Sequence, residues 1–239
     1  MDDRHPRHQL AEKIAGDIVL SDDPGATLRK WRDDFQASQT DLAAQLDVSS
    51  SVISDYESGR RESPGIGVIR RMVEGLIALD EARGGDRIRQ FGRVLSAGFD
   101  SDIVHDLREY PTSVELDHFY ASIGGTEFAR GGSDRISGHT VIDSIEAITR
   151  LSSEDFYRLY GQSTERALVF TNVSRGESPL VAMRVVNPTP NAVILHDISP
   201  EEVWEHAPAI ARIDGFSVGA TTIPLEDLLS KLREMPGES

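Results

Sequence analysis

The 239-residue chain is predicted to be a multidomain protein, with an all-α N-terminal domain followed by a small α/β domain. Apolar residues recur at helical spacing in the first third of the chain, whereas short apolar runs alternate with helical patterns towards its end. The charge divides in the same way, because residues 1–95 hold 14 Lys and Arg against 17 Asp and Glu, and residues 96–239 hold 11 against 23. A nearly neutral first part beside a strongly acidic second part indicates two modules with different partners.

The overall composition excludes several classes of protein. The absence of cysteine excludes a disulfide framework, thiolate catalysis and Cys-ligated zinc sites. No apolar run reaches the roughly 18 residues of a membrane span, and the acidic start is unlike a signal peptide, so we expect a cytoplasmic protein that binds no membrane. The net charge is −15, and only three of the 25 basic residues are Lys. This composition resembles that of halophilic proteins, which stay soluble where molar salt screens their carboxylates, although an ordinary acidic protein is the alternative.

The chain is predicted to begin with a helix that carries Leu10, Ile14 and Ile18 on one face. The turn signal Asp22-Asp-Pro-Gly25 ends this helix, since Pro fixes φ and Gly permits positive φ. Residues 1–25 are therefore interpreted as an N-terminal extension.

Residues 26–83 are predicted to form a compact cluster of helices. Leu28, Trp31 and Phe35 give the first of them an apolar stripe. Basic residues concentrate in this part of the chain, where they are candidate phosphate contacts or merely solvated charges of helix faces: Arg29, Lys30, Arg32, Arg60, Arg61, Arg70 and Arg71.

Two further helices of this cluster are joined by a very short loop. Ser38 opens the first of them as a capping residue, and Ser49 is a plausible N-cap for the second, which covers Ser50 to Glu57. The loop Asp47-Val-Ser49 is so short that the two helices must cross steeply, and Gly59 ends the second helix. This spacing predicts a helix-turn-helix.

The segment Ser38-Gln-Thr-Asp-Leu-Ala-Ala-Gln-Leu-Asp-Val-Ser-Ser-Ser-Val-Ile-Ser-Asp-Tyr-Glu-Ser-Gly-Arg60 resembles the helix-turn-helix of the XRE family, the phage-repressor and Cro-like regulators. The resemblance implies a lambda-repressor-like fold for residues 26–83 and a sequence-specific transcriptional regulator that binds double-stranded DNA in the major groove. The chain also resembles archaeal, including haloarchaeal, predicted regulators with a C-terminal α/β domain, especially over Glu165–Pro179.

The resemblance also implies which residues contact DNA. Gln39 would bind a phosphate, Ser50 and Ser51 would enter the major groove, and Asp55 would follow one turn later. The full expected set is Gln39, Thr40, Ser49, Ser50, Ser51, Ser54, Asp55, Arg60 and Arg61. Typical members place Arg, Gln or Lys where this helix has two serines and an aspartate, so we expect base readout that is weak, mediated by water or dependent on DNA shape.

The middle of the chain is predicted to be helical. A wide apolar face extends from Ile66 to Ala82, and residues 84–138 are interpreted as a helical connecting region. Within this region we predict helices over Ser101–Tyr110 and Ser113–Ile123, and a mobile surface loop at the glycine-rich Arg130–Asp134.

Residues 139–239 are predicted to form the α/β domain, with parallel strands alternating with helices. The expected strands are Thr140–Ile142, Ala167–Thr171, Ala192–Leu195 and Phe216–Thr221. The expected helices are Ser144–Leu151, Ser153–Tyr160, Glu201–Ile213 and Leu225–Met235. The segment Pro179–Val186 is ambiguous, because its valines also suit a strand; we interpret it as a helix, and a hairpin there would make the domain α+β.

No catalytic motif, metal-ligand spacing or cofactor fingerprint appears, so we expect neither an enzyme nor a bound cofactor. The best candidate ligand site is the loop after the strand Ala167–Thr171, where Ser174, Arg175 and Ser178 precede a helix and could hold a small anion. A polar connecting loop is the alternative.

We therefore expect a DNA-binding regulator whose C-terminal domain dimerises, senses a ligand or contacts another protein. Such proteins usually pair on DNA half-sites, which predicts a homodimer. The alternative function is a protein-interaction factor, such as an antitoxin or a transcription-bridging protein, whose helix-turn-helix mainly contacts protein.

Overall fold

The computed structural model describes residues 6–61, 64–160, 163–185 and 189–235. The chain divides into two compact units, Met1–Gly92 and Arg93–Ser239, and helix α6 (Asp86–Ser96) spans the boundary between them. Among the described residues, no helix has both the length and the apolar character needed to cross a membrane.

The described part of the first unit is helical. Before α6 it contains α1 (Pro6–Leu20), α2 (Pro24–Asp34), α3 (Gln39–Leu46), α4 (Ser50–Glu57) and α5 (Ile66–Ala82). The predicted helix-turn-helix is formed by α3 and α4. The predicted N-terminal extension is not a separate appendage, because Leu10, Ile14 and Ile18 of α1 are buried within the unit; its first five residues lie outside the described part of the chain.

Capping residues fix where α2 begins and where α3 begins and ends. The Asp23 carboxylate accepts a hydrogen bond from Ala26 N at 2.9 Å. Ser38 and Asp41 form a capping box, in which Ser38 Oγ accepts from Asp41 N at 3.0 Å and Asp41 Oδ2 accepts from Ser38 N at 3.1 Å. Asp47 closes α3 in the left-handed conformation, with φ of 56°, and so turns the chain towards α4.

The second unit contains a six-stranded sheet in the order β1-β3-β4-β5-β6-β2. The strands are β1 (Val104–Glu115), β2 (Thr126–Ala129), β3 (Arg135–Asp143), β4 (Ala167–Thr171), β5 (Ala192–His196) and β6 (Ser217–Thr221). Strands β3 to β6 are parallel, as predicted, whereas the edge strands β1 and β2 pair antiparallel with their neighbours. The sheet is therefore mixed.

Helices cover both faces of this sheet in the described residues. They are α7 (Leu116–Ser122), α8 (Ser144–Arg150), α9 (Ser153–Arg158), α10 (Glu177–Val185), α11 (Ala207–Asp214) and α12 (Leu225–Glu234). Helix α10 confirms the helical interpretation of the ambiguous segment, although Val186 lies outside the described residues. One apolar cluster packs the sheet against α8–α11, and a second packs it against α7 and α12.

The helix predicted for Ser101–Tyr110 is wrong, because β1 occupies most of this segment. Val104, Leu107 and Tyr110 are buried at three-residue intervals, which imitates a helical face. These side chains are buried although they lie on a strand, because the register between β1 and β3 shifts between Val104 and Asp106 and again between Glu109 and Val114. Pro111 lies within the second shift. The region predicted to be a helical connection, residues 84–138, thus contains β1, β2 and the start of β3.

The glycine-rich loop predicted to be mobile, Arg130–Asp134, is packed against the turn that precedes β6. A Cβ atom on Gly131 would lie 2.2 Å from Gly215 O, and Gly132 N donates a hydrogen bond to the same oxygen at 3.2 Å. Asn191 Nδ2 also donates to Ser133 Oγ at 2.9 Å. The glycines therefore allow close packing of the backbone rather than a free loop.

Candidate nucleic-acid interface

The first turn of α4 presents three exposed serines, Ser49, Ser50 and Ser51. The Oγ atoms of Ser49 and Ser51 are 2.8 Å apart, and Ser49 makes no side-chain cap for the helix. Ile53, two residues after Ser51, is fully buried and anchors α4 in the core. This turn therefore combines hydroxyl groups, which can donate and accept, with the N–H groups of a helix start, which favour phosphate or base acceptors.

Asp55 and the two predicted phosphate-binding arginines form one cluster. Arg60 Nε lies 3.2 Å from Asp55 Oδ1, and Arg61 Nε lies 4.0 Å from Asp55 Oδ2. The Arg61 guanidinium also lies over the Tyr56 ring, 5.4 Å from its centroid. Both arginines are largely exposed, so solvent screens their attraction to Asp55.

Gln39 is held in place by a buried ion pair. Its Nε2 donates to Glu57 Oε2 at 2.8 Å, and Glu57 also accepts from Arg32 Nε at 2.6 Å and from Arg32 Nη2 at 3.1 Å. Arg32 Nη1 donates to Ala37 O at 2.7 Å. These contacts connect α2, the start of α3 and the end of α4.

The structure contradicts the expectation that Arg32 is a candidate phosphate contact. Its side chain is buried, and its hydrogen bonds to Glu57 hold its pKa above the ordinary value. The sequence holds a faint signal for this role, because Arg32 follows Leu28 by four residues on the buried side of α2. Its partner Glu57 lies 25 residues away and could not be recognised from α2 alone.

Two glycines let the helices around the corner approach closely. A Cβ atom on Gly25 would lie 2.5 Å from Tyr56 O, and one on Gly75 would lie 2.7 Å from Leu46 Cδ1. Helix α2 thus packs against the end of α4, and α5 packs against α3. The end of α4 is therefore held against α2, and α3, which precedes α4 across the short turn, is held against α5.

The remaining predicted residues fall into two groups. Thr40 is exposed beside Gln39 at the start of α3, whereas Ser54 is half-buried on α4. Among the basic residues, Arg71 Nη2 donates to Leu46 O and so caps the end of α3. Arg70 is exposed and paired with Glu74 at 2.8 Å.

The predicted anion-binding segment of the second unit follows β4 and extends into the start of α10, whose second residue is Ser178. Ser174, Arg175 and Ser178 are exposed, and Arg175 Nη1 lies 3.4 Å from Glu177 Oε1. Strands β3 to β6 follow one another in a single direction across the sheet, so the loop does not lie at a reversal of strand order, where α/β sheets usually bind ligands. Anion binding by these three residues stays a prediction.

A buried charged cluster in the second unit was not predicted. Asp106 Oδ1 lies 3.2 Å from Arg93 Nη2, and Asp106 Oδ2 lies 3.5 Å from both His139 Nε2 and Arg233 Nε. Tyr110 Oη and His139 Nδ1 are 2.9 Å apart. Burial lowers the pKa of His139, and the hydrogen bond and charge of Asp106 offset only part of this shift. Burial alone would raise the pKa of Asp106, but His139, Arg93 and Arg233 stabilise the carboxylate and hold its pKa below the ordinary value.

Comparison with known proteins gives matches over the helix-turn-helix and over nearly the whole chain. Residues 25–83 match a family model described as a helix-turn-helix domain. The chain is 47% identical over 227 residues to a protein of Archaeoglobus fulgidus, covering 94% of this chain and 96% of that protein. It is 41% identical over 228 residues to a protein of Methanocaldococcus jannaschii, covering 95% of each. Both relatives bear the name uncharacterized HTH-type transcriptional regulator. No solved structure matches the chain significantly.

Proposed function

The chain belongs to the family of HTH-type transcriptional regulators, and from this premise we propose that it is a sequence-specific DNA-binding regulator of the XRE type. The observation that carries the proposal is the exposed first turn of α4, which presents three serines on a helix that the buried Ile53 anchors in the core. The major groove of DNA admits an α-helix, and the N-terminal residues of a recognition helix contact the base edges there. Ser50 and Ser51 would make these contacts.

Gln39 and Thr40 would position the protein on the phosphate backbone from the start of α3. The amide of Gln39 donates one N–H to Glu57 and keeps a second N–H that can reach a phosphate. Because Glu57 is itself held by Arg32, the amide is oriented before DNA binds. Such contacts fix the register of a protein on DNA but carry no sequence information directly.

Ser54 and Asp55 would extend the contact surface by one turn of α4, with Ser49 at its start and Arg60 and Arg61 beyond its end. Serine can pair with any base, whereas an aspartate accepts from the N4 amino group of cytosine. Base discrimination by this helix would therefore depend on Asp55, on whether the Ser51 hydroxyl donates to or accepts from the base that it contacts, and on the shape of the DNA.

The second unit would supply dimerisation, because one helix-turn-helix reads only a few base pairs. Sensing of a small anion by the loop after β4 is a further proposed role. We also propose that the protein tolerates high salt, since its net charge is −15 and Asp55 already balances part of the charge of Arg60 and Arg61.

Selection of bound duplexes from a pool of genomic DNA fragments tests the proposal. We expect enrichment of one motif with two half-sites whose centres are about 34–36 Å apart, one turn of DNA. Ser51→Glu, which adds a negative charge to the exposed turn, should abolish the enrichment while the circular dichroism spectrum stays unchanged. A wild-type pool without any enriched motif would refute the proposal and favour a protein-interaction factor.

A further inference from the structure

The two helical layers of the second unit differ in their outer surfaces. In the described part of this unit, six large hydrophobic side chains are half to four-fifths exposed, and all of them lie in the layer formed by α8–α11: Ile145, Ile148, Tyr157, Val181, Val185 and Ile213. None of the exposed large hydrophobic residues described in this unit lies on α7 or α12. One face of the unit thus has an apolar surface that the other face lacks.

The exposed residues lie on neighbouring helices. A right-handed crossover places its helices over the two parallel strands that it joins. Helices α8 and α9 lie between β3 and β4 in the chain, α10 lies between β4 and β5, and α11 lies between β5 and β6, so these helices follow one another across one face of the sheet. Arg184 Nε lies 3.0 Å from Asp214 Oδ2 and joins the ends of α10 and α11. Val185 and Ile213 are the chain neighbours of these two residues and are 81% and 71% exposed, so two large apolar side chains are exposed where the ends of these helices meet.

The same layer is nearly neutral although the unit is strongly acidic. Helices α8, α10 and α11 each carry one acidic and one basic residue, and α9 carries two acidic and one basic, so the layer holds five acidic residues against four basic ones. In contrast, residues 96–239 hold 23 acidic residues against 11 basic ones. The charges on α8 are paired, since Arg150 Nη1 lies 3.1 Å from Glu146 Oε2. A surface with almost no excess charge neither attracts DNA nor strongly repels an identical acidic chain.

We propose that the outer surface of α8–α11 joins two copies of the chain in a homodimer. The six side chains expose on the order of 600 Å² per copy, close to the roughly 800 Å² that each partner buries in a stable interface. An apolar, charge-balanced patch is self-complementary, as a two-fold interface requires. We rest the choice of a second copy also on the proposed function, because reading two half-sites needs a dimer.

The molar mass of the full chain in solution tests this surface. Light scattering at about 5–50 μM, a range for micromolar affinity, should give a dimer of the 26.3 kDa chain. Ile213→Glu should raise the dimer dissociation constant at least tenfold, because it places two like charges in the interface. Val181→Glu on α10 repeats the test independently if Ile213→Glu lowers stability. Ile66→Glu is the matched control, since Ile66 is 85% exposed but belongs to α5 of the first unit.

Three results would overturn the inference. The first is a wild-type chain that is monomeric at every concentration, and the second is that the Ile213→Glu and Val181→Glu chains fold and still form the dimer. The third is a dimer that only Ile66→Glu disrupts. DNA binding, measured separately, distinguishes this inference from the proposed function. A wild-type dimer that both patch variants disrupt, but that binds no DNA, would refute the proposed function and support the surface.

Discussion

Glu57→Ala would remove the carboxylate that holds Arg32 inside the first unit. The two side chains are only 3% and 9% exposed, and their two hydrogen bonds measure 2.6 and 3.1 Å. Removing one partner of a buried ion pair costs about 3–5 kcal/mol, because the other charge remains buried and unpaired. Asp33 Oδ1 lies 2.6 Å from Arg32 Nη1 and compensates part of this charge. We therefore expect the free energy of unfolding of this unit to fall by about 3 kcal/mol, the lower end of that range.

Urea unfolding followed by the fluorescence of Trp31, in a Trp204→Phe background, isolates the first unit, because Trp31 belongs to α2. With a urea dependence of about 1–3 kcal/mol per M, the midpoint should fall by roughly 1–3 M. Glu74→Ala is the control, since it breaks the exposed pair with Arg70 and should cost under about 1 kcal/mol. Equal losses in Glu57→Ala and Glu74→Ala would refute the assignment of a structural role to the buried pair.

Three other predictions concern DNA affinity, pH and salt. Asp55→Asn removes the carboxylate that pairs with Arg60 and should therefore raise the affinity for non-specific duplex DNA, measured by fluorescence anisotropy. Asp47→Asn, which removes one negative charge from the turn before α4, is the control and should raise this affinity less; an equal rise would contradict the pairing. Burial lowers the pKa of His139 below its ordinary 6.5, so the unfolded chain binds the proton first. The unfolding free energy of the second unit should therefore fall with pH below about 6.5, by up to about 1.4 kcal/mol per pH unit; a His139→Gln chain with the same slope would contradict this. Between 50 and 200 mM KCl, DNA affinity should fall far less than the roughly 10³- to 10⁵-fold typical of proteins with many phosphate contacts; a full loss of that size would show that the acidic surface is incidental.

Segments with one unambiguous apolar pattern were predictable, and β1 was not. The helices α3 and α4 follow a helical period, the strand β4 is one short apolar run that is buried throughout, and all three appear where they were expected. In β1 the spacing of Val104, Leu107 and Tyr110 imitated a helix, and the buried Asp106 broke the alternation expected of a strand. Asp106 is tolerated there because Arg93 and Arg233, which are distant in sequence, compensate its charge.

The candidate site was predictable where it depends on local sequence. The exposed serines at the start of α4 follow directly from the helix-turn-helix spacing. The pairing of Asp55 with Arg60 and the burial of Arg32 were not predicted, because these charges were interpreted as separate DNA contacts. Ion pairs between helices depend on tertiary packing, which a local pattern does not record.

The most direct measurement compares the affinities of wild-type, Gln39→Ala and Ser51→Ala chains for a selected site and for a scrambled duplex. Gln39→Ala should weaken binding to both duplexes equally, because it removes a phosphate contact. Ser51→Ala should instead change the ratio of the two affinities, by about 1–3 kcal/mol if its hydroxyl contacts a base directly. A Ser51→Ala chain with the wild-type affinity for both duplexes would contradict the assignment of α4 as the recognition helix.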